Sequence, residues 1–434
     1  MVWQETEQEG VFSRPIGENE AFIKLVGDAG LPLKCEHWAI NSSATVVSTG
    51  SFAHPSLAAE VAPSDDTRFI YTVPADRAAL DAWVSRTFSV AADAASSADV
   101  IPTFRPTPYA KLVYVPRSGE LLFHTAHWRT DGIGVLLLLD AFLAIAYTPR
   151  LLADPASSLA WGTEIARLAP SVEDAACMPS QPTPAQEERA AALVETFEHT
   201  VGAIGIPYLG NAMTLPAGTH SAVFALGATT TEEVLEACKA RGVSVTAAVH
   251  ASVAGANYAL AEDTGQEKHY TSTVRFALRP HLPELHSTPA SAAGLYTTGW
   301  QERAHMYNEE DRKGTTRDFL DAHREYARQL VELVRQGGES GALPPSDVDI
   351  SSIGVAEKLI RPSYGSLEAS FEVRAVSVGV EILSRQAVVF VWTFRDRLNL
   401  SVVYNEAFHS GEQMSRFVDT VKIELLEGLG VRDS

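Results

Sequence analysis

His127 and Asp131 are the residues best placed to do chemistry, because they stand with three residues between them at the end of the apolar run 121–126. A neutral imidazole there can accept a proton from a weak nucleophile and release it again, since its unperturbed pKa lies near neutrality, at about 6.5. His127 is therefore read as a general base. Asp131, with Gly132 and Gly134, marks a sharp turn into a helix. Its carboxylate either caps that helix, a role worth about 1 kcal/mol, or orients the base, and the spacing alone leaves both open. A metal reading of His124, His127 and Asp131 is disfavoured. Strand alternation would put Phe123, Thr125 and His127 on one face and Leu122, His124 and Ala126 on the other, whereas ligands must converge within about 2.0–2.2 Å of one ion. No metal site is expected.

The elements that must hold these residues follow from periodicity. Residues 68–73 read as a strand, a helical pattern follows Pro74, and 111–115 and 121–127 form a hairpin around residues 116–119. The hairpin feeds the apolar helix 133–147, which is too short and too interrupted by Asp140 to cross a bilayer. Pro-rich residues 178–184 read as a linker, continued by a helix over 185–200. A second series follows, with strands at 221–226, 270–278, 388–393 and 398–404, and helices at 243–261 and 318–334. Thr229 to Glu232 read as capping residues. The expected organisation is an N-terminal lobe over 1–184, a crossover over 185–220 and a C-terminal lobe over 221–434.

Composition narrows the function. A chain of 434 residues with 46% hydrophobic and 20% charged residues can bury large cores and suits two lobes rather than one. A net charge of −20 repels a phosphate backbone, so nucleic acid is not an expected partner. Three unpaired cysteines and an acidic start without a basic-then-apolar order point to the cytoplasm.

The segment His127-Trp128-Arg129-Thr130-Asp131-Gly132 resembles the HxxxDG signature of the HxxxD acyltransferase superfamily. That superfamily contains the chloramphenicol acetyltransferase-like folds, plant BAHD acyltransferases, peptide-synthetase condensation domains and fungal trichothecene O-acetyltransferases. Residues 274–283, with Arg275 and a closing Leu282-Pro283, are similar to the BAHD segment that carries an arginine. A looser likeness covers residues 350–354 and 400–408. Two departures stand out. The plant DFGWG motif is absent, with Ser370, Phe371 and Gly379 the nearest remnant, and Ala126 replaces the first histidine of condensation domains. The likeness is greatest to the fungal enzymes.

The resemblance implies an α/β fold of two chloramphenicol acetyltransferase-like lobes, each a mixed sheet with flanking helices, and a tunnel between them. It implies direct acyl transfer, with acyl-CoA (acetyl-CoA) as co-substrate, a hydroxylated small molecule as acceptor and no tightly bound cofactor. His127 would be the base, Asp131 would orient the motif, and Arg275 would pair with Asp131. The alternative for Arg275 is a solvated strand-end charge. Gly132 and Gly134 could serve backbone conformation or leave open space for substrates. Ser351, Ser352, Tyr404 and Asn405 are candidate oxyanion donors, with His409 beside them, and each could equally be an ordinary strand-end polar residue. Lys358 and Arg361 could meet CoA phosphates. No Gly-x-Ser-x-Gly elbow suggests an acyl-enzyme. A monomer is expected. Two other readings stay open: a condensation-type enzyme fed by a carrier protein, and a ligand-binding or cyclising protein on the same scaffold.

Overall fold

The computed structural model describes residues 3–46, 55–146, 162, 164–262, 269–303, 309–337, 346–365 and 370–433. In chain order, its strands are β1 (Gln4–Glu5), β2 (Val11–Pro15), β3 (Ile40–Val46), β4 (Glu60–Ala62), β5 (Asp65–Thr72), β6 (Phe88–Val90), β7 (Lys111–Val115) and β8 (Glu120–Thr125). The second half contributes β9 (Thr219–Ala225), β10 (Thr271–Ala277), β11 (Thr297–Arg303), β12 (Val348–Val355), β13 (Ser363–Gly365), β14 (Ser370–Val380), β15 (Ala387–Phe394) and β16 (Arg397–Asn405).

Two six-stranded mixed sheets carry the fold, in the orders β13-β14-β3-β8-β7-β6 and β11-β10-β12-β15-β16-β9. The first sheet exchanges a strand across the expected lobe boundary. β14 comes from the second half of the chain, yet it runs antiparallel to β3, with Val378 opposite Ser42 and Val380 opposite Ile40. Hydroxyls lock that seam, since Ser42 donates to the Ser377 carbonyl at 2.6 Å and the Ser43 and Ser377 hydroxyls lie 2.9 Å apart. A division at residue 221 therefore does not separate the sheets. β5, the strand read at residues 68–73, is not in the sheet of the β7–β8 hairpin. It pairs with the remote β2 in a separate sheet, β1-β2-β5-β4, a partnership that local periodicity does not reveal.

The helix Gly132–Ala146 is apolar almost all round because it is packed all round. Val135, Leu136, Leu139 and Leu143 meet Leu121 and Phe123 of β8 and Val376 and Val378 of β14 in one core that continues to Phe390 and Trp392 of β15. Each fully buried side chain of this size contributes about 1.5–3 kcal/mol. Asp140, the charge that interrupts the helix, receives the Arg361 guanidinium at 2.9 Å and the Tyr364 hydroxyl at 2.5 Å. The expected end of the helix at residues 147–149 lies outside the described residues.

Alternation along β15 explains the second lobe. Val388, Phe390 and Trp392 face the core between the sheets, while Ala387, Val389 and Val391 face the helices Val245–Leu260 and Gly411–Leu429. Those helices start on serine caps, Ser244 to the Ala247 amide at 3.1 Å and Ser410 to the Gln413 amide at 3.1 Å. The expected cap at residues 229–232 is corrected: that helix begins at Ala228 after Gly227, and Thr231 instead accepts the Leu398 amide. Among the described residues, no helix is long and apolar enough to cross a membrane, and no cluster of His, Cys, Asp and Glu could hold a metal ion.

Candidate active site

β8 ends at Thr125, and the chain turns through a short 3-10 helix, His127–Arg129, before the helix Gly132–Ala146 starts. The strand therefore stops two residues before His127, which alternation had placed at its end. The turn is wedged from below. Trp128 stacks on Phe69 with ring centroids 4.6 Å apart, and the Arg129 guanidinium lies 4.2 Å from the Trp128 ring centre. Arg129 also donates to the carbonyls of Ala59 and Pro108. His124 is not part of the site, because its ring is buried, bonded to the Asn41 side chain at 2.9 Å and stacked on Phe104.

His127 lines a cavity of about 120 Å³ between the two sheets. Its first-lobe wall includes Phe22, Ile23, Trp38, Ile40 and Gly132, and its second-lobe wall includes Thr273, Arg275, Gly299, Ser351 and Phe390, with Val378 and Gly379 of the exchanged strand between them. The His127 Nδ1 atom is buried with no hydrogen-bond partner among the described residues. Burial pushes the His127 pKa below its ordinary value. Nearby backbone carbonyls and the Asp131 carboxylate oppose that shift, and the Arg275 charge reinforces it. The ring is thus neutral near pH 7, the state a base requires.

Asp131 points away from the cavity and does two structural jobs at once. Oδ1 accepts the Gly134 amide at 2.7 Å, which caps the helix, while Oδ2 accepts the Tyr296 amide at 2.9 Å and the Arg279 guanidinium at 3.1 Å. The helix-cap reading of this residue is seen in the Gly134 bond, whereas its expected partner is not. Arg275 pairs with Asp349 at 2.8 Å, and the arginine joined to Asp131 is Arg279. The reason is local. β10 ends at Ala277, and a 3-10 turn, Arg279–His281, swings Arg279 inward, where it also donates to the carbonyls of Ser291 and Gly294. Arg275, still on the strand, faces the cavity.

The oxyanion candidates divide. Ser351 lines the cavity, but its neighbour Ser352 faces the opposite side of β12, where its hydroxyl lies 2.8 Å from that of Thr246. Tyr404 is buried in the core on the far side of the second sheet. Asn405 ties Ala217 and Ile382 together through three bonds of 2.8–2.9 Å. His409 is fully buried with Nε2 on the Arg385 carbonyl. None of these last three residues lines the cavity, and they are corrected to structural roles. Arg361 is engaged by Asp140. Gly132 borders the cavity, whereas Gly134 is demanded by packing, since a Cβ there would lie 2.3 Å from the Ala292 carbonyl oxygen.

No protein-family model matches the chain. The sequence is 41% identical over 462 aligned positions to acetyltransferase pigO of Monascus ruber, covering 100% of this chain and 99% of the relative. It is 28% identical over 460 positions to O-acetyltransferase pigM of the same organism, covering 99% and 88%. Among solved structures, the trichothecene 15-O-acetyltransferase TRI3 of Fusarium sporotrichioides superimposes with a TM-score of 0.80 at 16% identity, covering 99% of this chain and 97% of that one. The first condensation domain of the CDA synthetase follows the same fold with a TM-score of 0.63 at 13% identity, covering 95% and 96%.

Proposed function

The chain belongs to a family of fungal acetyltransferases within the HxxxD acyltransferase superfamily, and we propose that it moves an acetyl group from acetyl-CoA to a hydroxyl of a secondary metabolite such as a terpenoid or polyketide. The observation that carries this reading is the placement of His127. A neutral imidazole faces a cavity walled by both sheets, on a turn clamped by the buried Asp131 and Arg279 pair.

The acceptor oxygen attacks the thioester carbonyl as His127 Nε2 takes its proton. The tetrahedral intermediate then expels the thiolate, which recovers that proton from the imidazolium. Every bond change is balanced without a covalent enzyme intermediate. General-base help contributes about 10²–10⁴ in rate, and holding both substrates in one cavity lowers the barrier by about 7–11 kcal/mol. Ser351 is the remaining oxyanion donor from the sequence candidates, a role worth about 2.7–4 kcal/mol. Both walls come from one chain, which supports a monomer, and three free cysteines suit a reducing cytosol.

The test is thiol release from acetyl-CoA with a panel of hydroxylated terpenoids and polyketides, with and without His127→Ala. Acceptor-dependent release that disappears in the variant is expected. Release that persists in the variant, or that needs an acyl carrier protein in place of CoA, would overturn the assignment.

A further inference from the structure

Two unrelated costs converge on one wall of the cavity. The first is at Arg275, whose Nη2 donates to Asp349 at 2.8 Å while Nη1 is buried with no hydrogen-bond partner among the described residues. Asp349 is itself buried, at 2% exposure, and accepts the Thr273 amide at 2.7 Å, so the guanidinium is held from behind with one nitrogen unused. Leaving a buried donor unsatisfied costs about 1–3 kcal/mol, which a ligand oxygen placed there would recover. The second cost is at Trp38, which has φ of 62°. A bulky residue in the left-handed region costs about 1–3 kcal/mol, and the Trp38 amide is held there by the Glu381 carbonyl at 2.7 Å. The Trp38 ring lines the cavity, and the Arg275 guanidinium lies 5.7 Å from its centre.

We propose that Trp38 and Arg275 form the acceptor subsite, in which a planar, unsaturated part of the alcohol lies against the indole while Arg275 Nη1 donates to a neutral carbonyl oxygen, turning the hydroxyl toward His127. This assignment rests on the acyl-transfer reading and adds the substrate class to it: a hydroxylated, carbonyl-bearing conjugated molecule. A neutral oxygen fits better than a carboxylate because Asp349 already balances the Arg275 charge. Asp347, beside that pair and bonded to Gln386 at 3.1 Å, has its pKa pushed up to about 7, by burial first and by the Asp349 charge second. A further anion on Arg275 would add to the negative charge of Asp349 behind it. Arg275 is a specificity-determining residue here, and Asp349 positions it.

The experiment measures binding rather than turnover, so that its outcome is separable from that of the acetyltransferase assay. Three probes are compared by ligand-observed NMR: 4-acetylbenzyl alcohol, 4-ethylbenzyl alcohol and 4-(hydroxymethyl)benzoate. The ketone should bind about 10-fold or more tighter than its ethyl counterpart, the value expected for one hydrogen bond to a charged donor, and also tighter than the benzoate. Arg275→Met should erase the ketone preference, and so should Arg275→Gln, which keeps a donor for Asp349 and guards against misfolding. His127→Ala should preserve the preference while abolishing thiol release. Equal affinity for ketone and ethyl probes, a preference that survives both Arg275 variants, or tighter binding of the benzoate would overturn the proposal.

Discussion

Asp131 Oδ2 lies 3.1 Å from Arg279 Nη2, and neither side chain is more than 6% exposed. The pair joins the start of the helix behind His127 to the segment that leaves β10, so it ties the His127 turn to both sides of the cavity. Its worth is greatest when only one member is removed. Asp131→Ala leaves a buried guanidinium and the Gly134 and Tyr296 amides without their acceptor, a loss of about 3–5 kcal/mol. Arg279→Ala should cost a similar amount. Denaturant unfolding of both single variants and of the double variant checks this, and the double variant should fall well short of the sum. Additive losses would show that the two side chains act independently.

With His127 as the proposed base, the pH dependence of kcat/KM should report on its ring. Its pKa is held below the ordinary 6.5, chiefly by burial. The base is active when neutral, so the rate should be flat around pH 7 and fall only as pH drops below that ordinary value. An acid limb centred above 6.5 would mean that the ring is stabilised as a cation, against the burial argument.

Much of this site was legible in the sequence because its signals are local. The histidine, the aspartate and the two glycines lie within eight residues and mark a turn by composition alone. The partner of Asp131 was not legible. Arg275 and Arg279 occupy the same segment, and only the end of β10 at Ala277 decides which of them faces the aspartate and which the cavity. Trp38 escaped for a different reason, since nothing in its neighbours announces a positive φ. The exchange of β14 into the first sheet is likewise a long-range pairing, invisible to any window of alternating residues. Ser351 and Ser352 show the limit on the smallest scale: one step along a strand separates a cavity residue from a structural one.

Gly132 and Gly134 should respond differently to alanine. A Cβ at Gly134 would meet the Thr130 hydroxyl, the Ala292 carbonyl and the Arg279 guanidinium at 2.2–2.8 Å, so backbone must move and the clamp on Asp131 must loosen. Gly134→Ala should cost about 1–3 kcal/mol in unfolding free energy and lower kcat with it. At Gly132, which itself borders the cavity, the nearest atom is the flexible end of Ile353 at 3.1 Å. Gly132→Ala should fold with nearly unchanged stability and raise the acceptor KM. Thermal melts and steady-state kinetics on the two variants separate the effects, and equal losses of stability would contradict them.

Glu173 sets a pH dependence of stability far from the base. Its carboxyl is fully buried, with Oε1 accepting the Asn19 amide at 2.8 Å and Oε2 unpartnered among the described residues. Burial is the main cause that pushes its pKa up to about 7, and Glu18 and Glu20 add to it. Because the folded value is raised above the unfolded one, the folded protein binds the extra proton. The associated stability is fully present below about pH 4.5 and is lost as pH rises through 7. Glu173→Gln keeps the acceptor for Asn19 and removes the buried charge. It should therefore stabilise the protein by about 1–3 kcal/mol at pH 8, with a smaller gain at pH 6. Unfolding midpoints of the two proteins at both pH values check the sign, and a gain that does not grow with pH would show that Glu173 is not the group that titrates.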